Sequence, residues 1–169
     1  MVRGFPMLGI GECGLDFCDR FTNRAEQGEC FAAHLDLARE LDRPVTVHCV
    51  QAGGRLVEIL RDHPARRILL HAYSGSAELI PELMKLNCWF SFGEAVMNPN
   101  AKRVRAAAVA VPADRLLIET DSVDEPDKLI EVARAVAALR GVSVEEIAEM
   151  TFNNTQSLFF QPQPECREI

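Results

Sequence analysis

The chain has 169 residues, of which 48% are hydrophobic and 25% are charged, and its net charge is -7. These proportions are typical of one globular domain. The negative charge argues against a broad basic surface that binds nucleic acid through many phosphates. No apolar run reaches the roughly 18 residues of a membrane span, and the first residues lack the apolar stretch of a secretory signal. We therefore expect a cytoplasmic protein with no membrane partner.

Short apolar runs alternate with segments of helical spacing along the whole chain. The predicted elements, in chain order, are a strand at 7–11, a helix at 24–41, a strand at 45–47, a helix at 54–62, a strand at 68–70, a helix beginning near Leu79, a strand at 89–92, a helix at 99–110, a strand at 116–118, a helix ending at Gly141, and a helix from Ser143 to about Phe159. The strands are almost entirely apolar, as in a parallel sheet that is covered on both faces.

This repeated βα unit predicts an α/β fold. Residues 1–160 are interpreted as one domain, and residues 161–169, which contain Gln-Pro repeats, as a frayed tail. Pro81 is expected in the first turn of its helix, and Ser143 with Glu146 is expected to form a capping box. Six cysteines stand at 13, 18, 30, 49, 88 and 166 without a C-x-x-C pair, so they are interpreted as small packing residues and not as a disulfide framework.

Four residues of types that bind metals stand at the carboxyl ends of four different predicted strands. They are Glu12, His48, His71 and Asp121. Ligands gather at this rim in barrels and in open α/β sheets because the loops converge there. Two imidazoles and two carboxylates suit zinc, manganese or a similar divalent ion. The sequence therefore predicts a metal site at this rim.

Each of these residues also has a plain structural interpretation. A single histidine after a strand is often a hydrogen-bonded core group, and a carboxylate there is often a helix cap. The joint placement favours the metal, because two carboxylates close together are costly without a cation. Alternation along the strands directs Cys13 and Cys49 away from the site. His34 and His63 lack the rim placement and are interpreted as structural or solvated.

Six short motifs resemble those of one protein family. They are GECGLD at 11–16, Gln27 with Phe31, PVTVH at 44–48, HAYSG at 71–75, ETDS at 119–122, and Asn154 with Leu158 and Phe159. The family shows G-E-x-G-L-D, Q-x-x-x-F, P-V-x-I/V-H, H-x-F-S-G, E-T-D-S/A and N-x…L-F in the same order. On these motifs the chain resembles the TatD-like metal-dependent deoxyribonucleases, which have amidohydrolase-type barrels, from about residue 7 to residue 160.

The resemblance implies a TIM-type (β/α) barrel, of which this chain holds about the last five βα units of eight. The family's H-x-H motif on the first barrel strand is missing here, and a complete barrel usually has about 250 residues. One metal position is therefore expected to be incomplete. Val50 stands where the family has an arginine that contacts phosphate, and Arg55 is the candidate replacement.

The resemblance also implies roles for the candidate residues. Glu12 binds or bridges the metal and takes part in catalysis, His48 and His71 are imidazole ligands, and Asp121 binds metal and accepts the proton of the attacking water. Ser74 and Arg55 are the candidate substrate-binding residues. The expected cofactor is one or two divalent ions, which are zinc, magnesium or manganese.

The leading hypothesis is a metal-dependent hydrolase that cleaves phosphodiester bonds of DNA or another phosphoester, since a metal lowers the pKa of bound water toward about 7. One alternative is a non-catalytic fragment or pseudoenzyme that acts through protein contacts. Five strands would leave two unpaired sheet edges, which favour self-association. A further alternative is a related amidohydrolase that acts on a small ester, amide or lactone.

Overall fold

The structure, a computed structural model, describes residues 8–121 and 125–160. Met7 of the first predicted strand, Ser122 of the ETDS motif and the predicted tail at 161–169 lie outside the described residues. Within those two ranges, no helix is long and apolar enough to cross a bilayer.

Five strands alternate with helices, as the βα pattern predicts. The strands are β1 (Ile10–Asp16), β2 (Val45–Val50), β3 (Ile68–Leu70), β4 (Cys88–Phe92) and β5 (Leu116–Ile118). The helices are α1 (Arg24–Glu40), α2 (Gly53–Asp62), α3 (Ile80–Lys85), α4 (Lys102–Ala110), α5 (Lys128–Arg140) and α6 (Val144–Phe159). Short 3-10 turns at Ala77–Leu79, Glu94–Met97 and Ala113–Arg115 precede α3, α4 and β5.

The strands form one parallel sheet in the order β1-β2-β3-β4-β5. Within the described part of the chain, β1 pairs with β2 alone and β5 with β4 alone, so the sheet is open at both edges. Helices cover one face of the sheet, and the main apolar core lies between them and the strands. This core includes Phe31, Leu56, Phe90 and Val136. On the opposite face, Leu158 near the end of α6 packs in a smaller cluster with strand residues. The sequential parallel order brings all five carboxyl ends to one rim.

The first two strands are longer than the sequence predicts, and the additional residues carry the polar side chains. β1 continues to Asp16 and β2 to Val50, so Glu12 and His48 lie inside strands instead of after them. Gly14 permits this extension: it pairs with His48, and a Cβ on Gly14 would overlap the backbone carbonyl oxygen of His48. The apolar criterion missed this half of each strand because it is polar.

The predicted helix ends are confirmed in most places. Gly141 ends α5 in the left-handed conformation, and Ser143 with Glu146 forms the capping box of α6. Pro81 lies in the first turn of α3. The helix predicted at 99–110 begins instead at Lys102, because the Asn98 side chain accepts the backbone N–H of Asn100 at 2.9 Å in a turn before the helix.

Candidate metal centre

The structure brings the four predicted ligands together at the rim formed by the strand carboxyl ends. Glu12 Oε1 lies 3.0 Å from His48 Nδ1 and 3.9 Å from His71 Nε2. Asp121 Oδ1 lies 3.6 Å from the same nitrogen of His71. The two imidazole rings are 6.5 Å apart between centroids. His71 Nε2 is thus the atom that lies within 4 Å of both carboxylates.

Two overlapping groups of side chains could hold a cation. One comprises Glu12, His48 and His71, the other His71, Glu119 and Asp121, and within each group the ligand atoms lie within 4.8 Å of one another. In a tetrahedral site with bonds of about 2.0–2.2 Å, ligand atoms are about 3.3–3.6 Å apart. The separations of 3.0, 3.6 and 3.9 Å are close to these values. Nitrogen and carboxylate donors at this spacing fit a divalent metal.

Glu119 orients His71, and the sequence analysis gave it no role. His71 Nδ1 donates a hydrogen bond to Glu119 Oε1 at 2.8 Å, which leaves Nε2 directed at the cluster. The same carboxylate accepts the backbone N–H of Ala72 at 2.9 Å and the hydroxyl hydrogen of Ser91. A carboxylate bonded to the second nitrogen of a metal-binding histidine fixes its tautomer. The available signal was the position of Glu119 two residues before Asp121 in the ETDS motif.

The cluster strongly favours positive charge. The pKa of His71 is raised to about 9, chiefly by the hydrogen bond to Glu119; burial opposes this shift, and the negative charges of Glu119, Glu12 and Asp121 add to it. An imidazole held in its charged form among three carboxylates shows a local field that would also stabilise a metal cation.

The other side of the cluster is fixed by Asp16 and Gln27. Asp16 Oδ2 lies 3.8 Å from His48 Nε2, and Asp16 Oδ1 accepts the backbone N–H of Cys18 at 3.0 Å. A hydrogen bond from the Cys18 side chain, and after it this backbone bond, lowers the pKa of Asp16. The Gln27 side chain accepts the Asp16 backbone N–H at 2.8 Å and donates to the Asp16 carbonyl at 3.1 Å. The motif pair Gln27 and Asp16 therefore joins the start of α1 to the end of β1.

The cysteines beside the ligands belong to neither ligand group among the described residues. Burial raises the pKa of Cys13 to about 12 and that of Cys49 to about 11, so both thiols stay protonated, and both pack against the core as expected. His34 Nδ1 contacts the Cys30 carbonyl at 2.7 Å, and His63 Nδ1 contacts Asp36 at 3.0 Å. Neither histidine belongs to a ligand group among the described residues.

The two candidate substrate-binding residues lie in different places. Ser74 lines a cavity of about 270 Å³ that also has His71 in its wall. Arg55 is on α2, where its guanidinium pairs with Glu58 at 2.9 Å. Arg55 lines neither this cavity nor the one beside Glu12 and His48.

Comparisons with known proteins identify the family of this chain. The family model described as TatD related DNase matches residues 4–160. The uncharacterized metal-dependent hydrolase YabD of Bacillus subtilis is 35% identical over 166 residues, which cover 90% of this chain and 65% of YabD. Human deoxyribonuclease TATDN3 is 31% identical, with 90% of this chain and 60% of the relative covered.

A solved structure shows the same fold. The TatD homologue YJJV from Escherichia coli K12 superposes with a TM-score of 0.80 at 28% sequence identity, covering 91% of this chain and 64% of YJJV. This likeness confirms the predicted partial TIM-type barrel. The chain spans about 65% of the length of YabD and less of TATDN3. With the family model matched over nearly its whole length, the chain belongs to the TatD-related DNase family.

Proposed function

We propose that this chain is a metal-dependent hydrolase that cleaves phosphodiester bonds, with DNA as its substrate. The proposal is supported by the convergence on His71 Nε2 of two carboxylates, Glu12 in β1 and Asp121 after β5, with His48 beside them and Glu119 holding the imidazole. DNA is proposed as the substrate because the family model describes DNases and TATDN3 is named a deoxyribonuclease.

His71, Glu12 and His48 are proposed to hold one divalent cation, and Asp121 to complete its ligands. A cation at this position lowers the pKa of water and neutralises charge on the phosphodiester oxygens. Zinc, manganese and magnesium are all candidates, and the two imidazoles favour zinc or manganese over magnesium. Since the two ligand groups share His71, we propose that one ion is held firmly and that a second would lack a complete set of ligands.

Asp121 is proposed to accept the proton of the attacking water. Its side chain is 71% exposed and lies 3.6 Å from His71 Nε2, so it borders both the cluster and bulk solvent. A carboxylate in that position can take a proton inside the site and release it to water. Glu12, between the two imidazoles, is proposed to hold metal and to help position that water. Ser74 and Arg55 stay proposals as substrate contacts.

A second candidate function is favoured by the open edges of the sheet. Leu129, Ile130 and Phe152 are exposed on α5 and α6, where they line an apolar groove. A shortened domain with such a surface could act through self-association without catalysis. In that case the metal cluster would be a remnant of the family.

The full chain, stripped of metal by a chelator, distinguishes these functions. Labelled single-stranded DNA, bis-p-nitrophenyl phosphate and p-nitrophenyl acetate are tested with and without Mn²⁺ or Zn²⁺. The proposal predicts that metal restores cleavage of the two phosphodiesters and that His71→Ala abolishes it. Cleavage of the acetate alone would indicate the small-ester alternative. The non-catalytic function would be favoured if the protein bound metal without hydrolysing any of these substrates and light scattering showed it to be an oligomer.

A further inference from the structure

We propose that Arg103 binds a phosphate group of the substrate in the cavity beside His71. The inference rests on the proposed function, because it assigns to that site a phosphate-binding residue on α4. No motif in the sequence indicated this residue.

The cavity shares His71 with the candidate metal ligands. Its wall includes His71, the turn Ser74–Ser76 after β3, Gln51 after β2, and Arg103 in the first turn of α4. Its volume of about 270 Å³ is near the lower limit of the roughly 300–1,000 Å³ that small-molecule sites occupy. Such a volume suits one nucleotide unit and not a duplex.

The charges around the cluster require a cation on the substrate side. Glu12 and Asp121 lie beside His71 Nε2 and Glu119 lies beside its Nδ1, and a phosphodiester brings another negative charge to the same place. A metal ion offsets part of this charge, and an arginine fork is well suited to the remaining phosphate oxygens. Arg103 is the cationic residue in the wall of this cavity apart from His71 itself.

The guanidinium of Arg103 is available, whereas those of nearby arginines are engaged. Across residues 8–121 and 125–160, Arg103 makes no hydrogen bond or ion pair, and the residue is exposed to solvent. Arg105, two residues further along α4, donates to the Val96 carbonyl at 2.6 Å. Arg55 on α2 pairs with Glu58.

The electrostatics of the cavity wall agree with this position of the charge. Burial raises the pKa of Tyr73, which also lines the cavity, and the positive charge of Arg103 opposes that shift. The guanidinium therefore acts on the cavity wall and not only on bulk solvent.

The test compares four full-length proteins loaded with Mn²⁺: wild type, Arg103→Gln, Arg103→Lys and the control Lys102→Gln. Lys102 is exposed, lies next to Arg103 in α4 and does not line the cavity, so its variant makes the same change in net charge. Isothermal titration with thymidine 5′-monophosphate measures binding without turnover. Arg103→Gln is expected to weaken binding by about tenfold or more, Arg103→Lys by less, and Lys102→Gln by less than about twofold.

Equal weakening in Arg103→Gln and Lys102→Gln would overturn the proposal, since it would show a bulk charge effect. Wild-type protein that fails to bind the nucleotide at millimolar concentration would also overturn it. Failure of the proposed function gives a different result: nucleotide binding that depends on Arg103 in a metal-loaded protein that hydrolyses no phosphodiester. Hydrolysis with a KM unchanged by Arg103→Gln would refute the Arg103 assignment and leave the function standing.

Discussion

The candidate metal ligands and the residues that hold them form two sides, an inner and an outer one. The two sides differ in burial and in the number of hydrogen bonds that fix their side chains. On the inner side, which comprises His71, Glu119 and Ser91, the first two side chains are 16% and 18% exposed. On the outer side, Glu12, His48 and Asp121 are 47%, 39% and 71% exposed. The inner side is joined by hydrogen bonds that link residues of β4 with those that follow β3 and β5. On the outer side, Glu12 contacts His48 at 3.0 Å, and Asp121 lies in contact with bulk solvent.

This difference indicates a division of tasks. The inner side has a fixed imidazole tautomer, which favours tight and oriented metal binding. The outer side is open to water and substrate, which favours proton exchange and turnover. Variants of the inner side should therefore act mostly on metal affinity, and variants of the outer side mostly on rate.

The largest effect is expected from Asp121→Asn on the outer side. An amide cannot accept the proton of the attacking water, so kcat should fall by about 10²–10⁴-fold. Metal affinity should fall by a smaller factor, because His71, Glu12 and His48 remain. The control is Asp114→Asn, because Asp114 is an exposed aspartate in the turn that precedes β5, at the end of the strand away from Asp121. Phosphodiester hydrolysis under saturating metal measures the effect, and a variant with wild-type kcat would exclude Asp121 as proton acceptor.

The next effect is expected from Glu119→Gln on the inner side. Loss of the carboxylate removes the charge that holds the His71 N–H, and metal affinity should fall by about 10–100-fold. Glu78→Gln, an exposed glutamate in the turn before α3, is the control. Competition with a chelating dye well above pH 9, where proton competition at His71 is removed in every variant, measures both affinities. If Glu119→Gln bound metal as tightly as the control, the inner side would have no special part in metal binding.

An effect of similar size is expected from pH. Protonated His71 cannot bind metal, and its pKa of about 9, raised chiefly by Glu119, means that binding at pH 7 must expel a proton. Metal affinity should therefore rise by about tenfold per pH unit from pH 7 and level off near pH 9. In Glu119→Gln the plateau should move toward the ordinary value of 6.5. Titration of affinity against pH tests this, and a flat wild-type profile between pH 7 and 9 would contradict it.

The smallest effect is expected from Gln27→Ala, which changes the support of the outer side. Two hydrogen bonds to the Asp16 backbone would be lost, and the free energy of unfolding should fall by about 1 kcal/mol. Glu29→Ala, on the exposed face of α1, should change it by less than about 0.5 kcal/mol. Urea unfolding measures both. If the two variants were equally stable, the two Gln27 hydrogen bonds would contribute nothing measurable to the free energy of unfolding.

The sequence predicted the order and type of the elements well, because buried parallel strands are recognisable as apolar runs. It misplaced the ends of β1 and β2, since Glu12 and His48 interrupt the apolar pattern while Gly14 permits close backbone pairing. Length and charge alone would not have indicated this pairing, which depends on a neighbouring strand.

The candidate ligands followed from their position after strands, but their supporting residues did not. Glu119 and Gln27 both stand in motifs that resemble those of the family. The role of Glu119 depends on which nitrogen of His71 it contacts, and the role of Gln27 depends on which backbone groups it binds. Arg103 has no local motif, and its relation to His71 arises from the packing of α4 beside the turn that precedes α3. Such relations between distant segments are set by tertiary structure and not by local pattern.

An anomalous difference map from a crystal of the full chain soaked in Zn²⁺ or Mn²⁺ would show whether these side chains share one cation. We expect a peak within about 2.0–2.3 Å of His71 Nε2, with Glu12 and His48 or Asp121 among its other ligands. A peak that does not contact His71, or none at this rim at full metal loading, would rule out a metal centre built on His71.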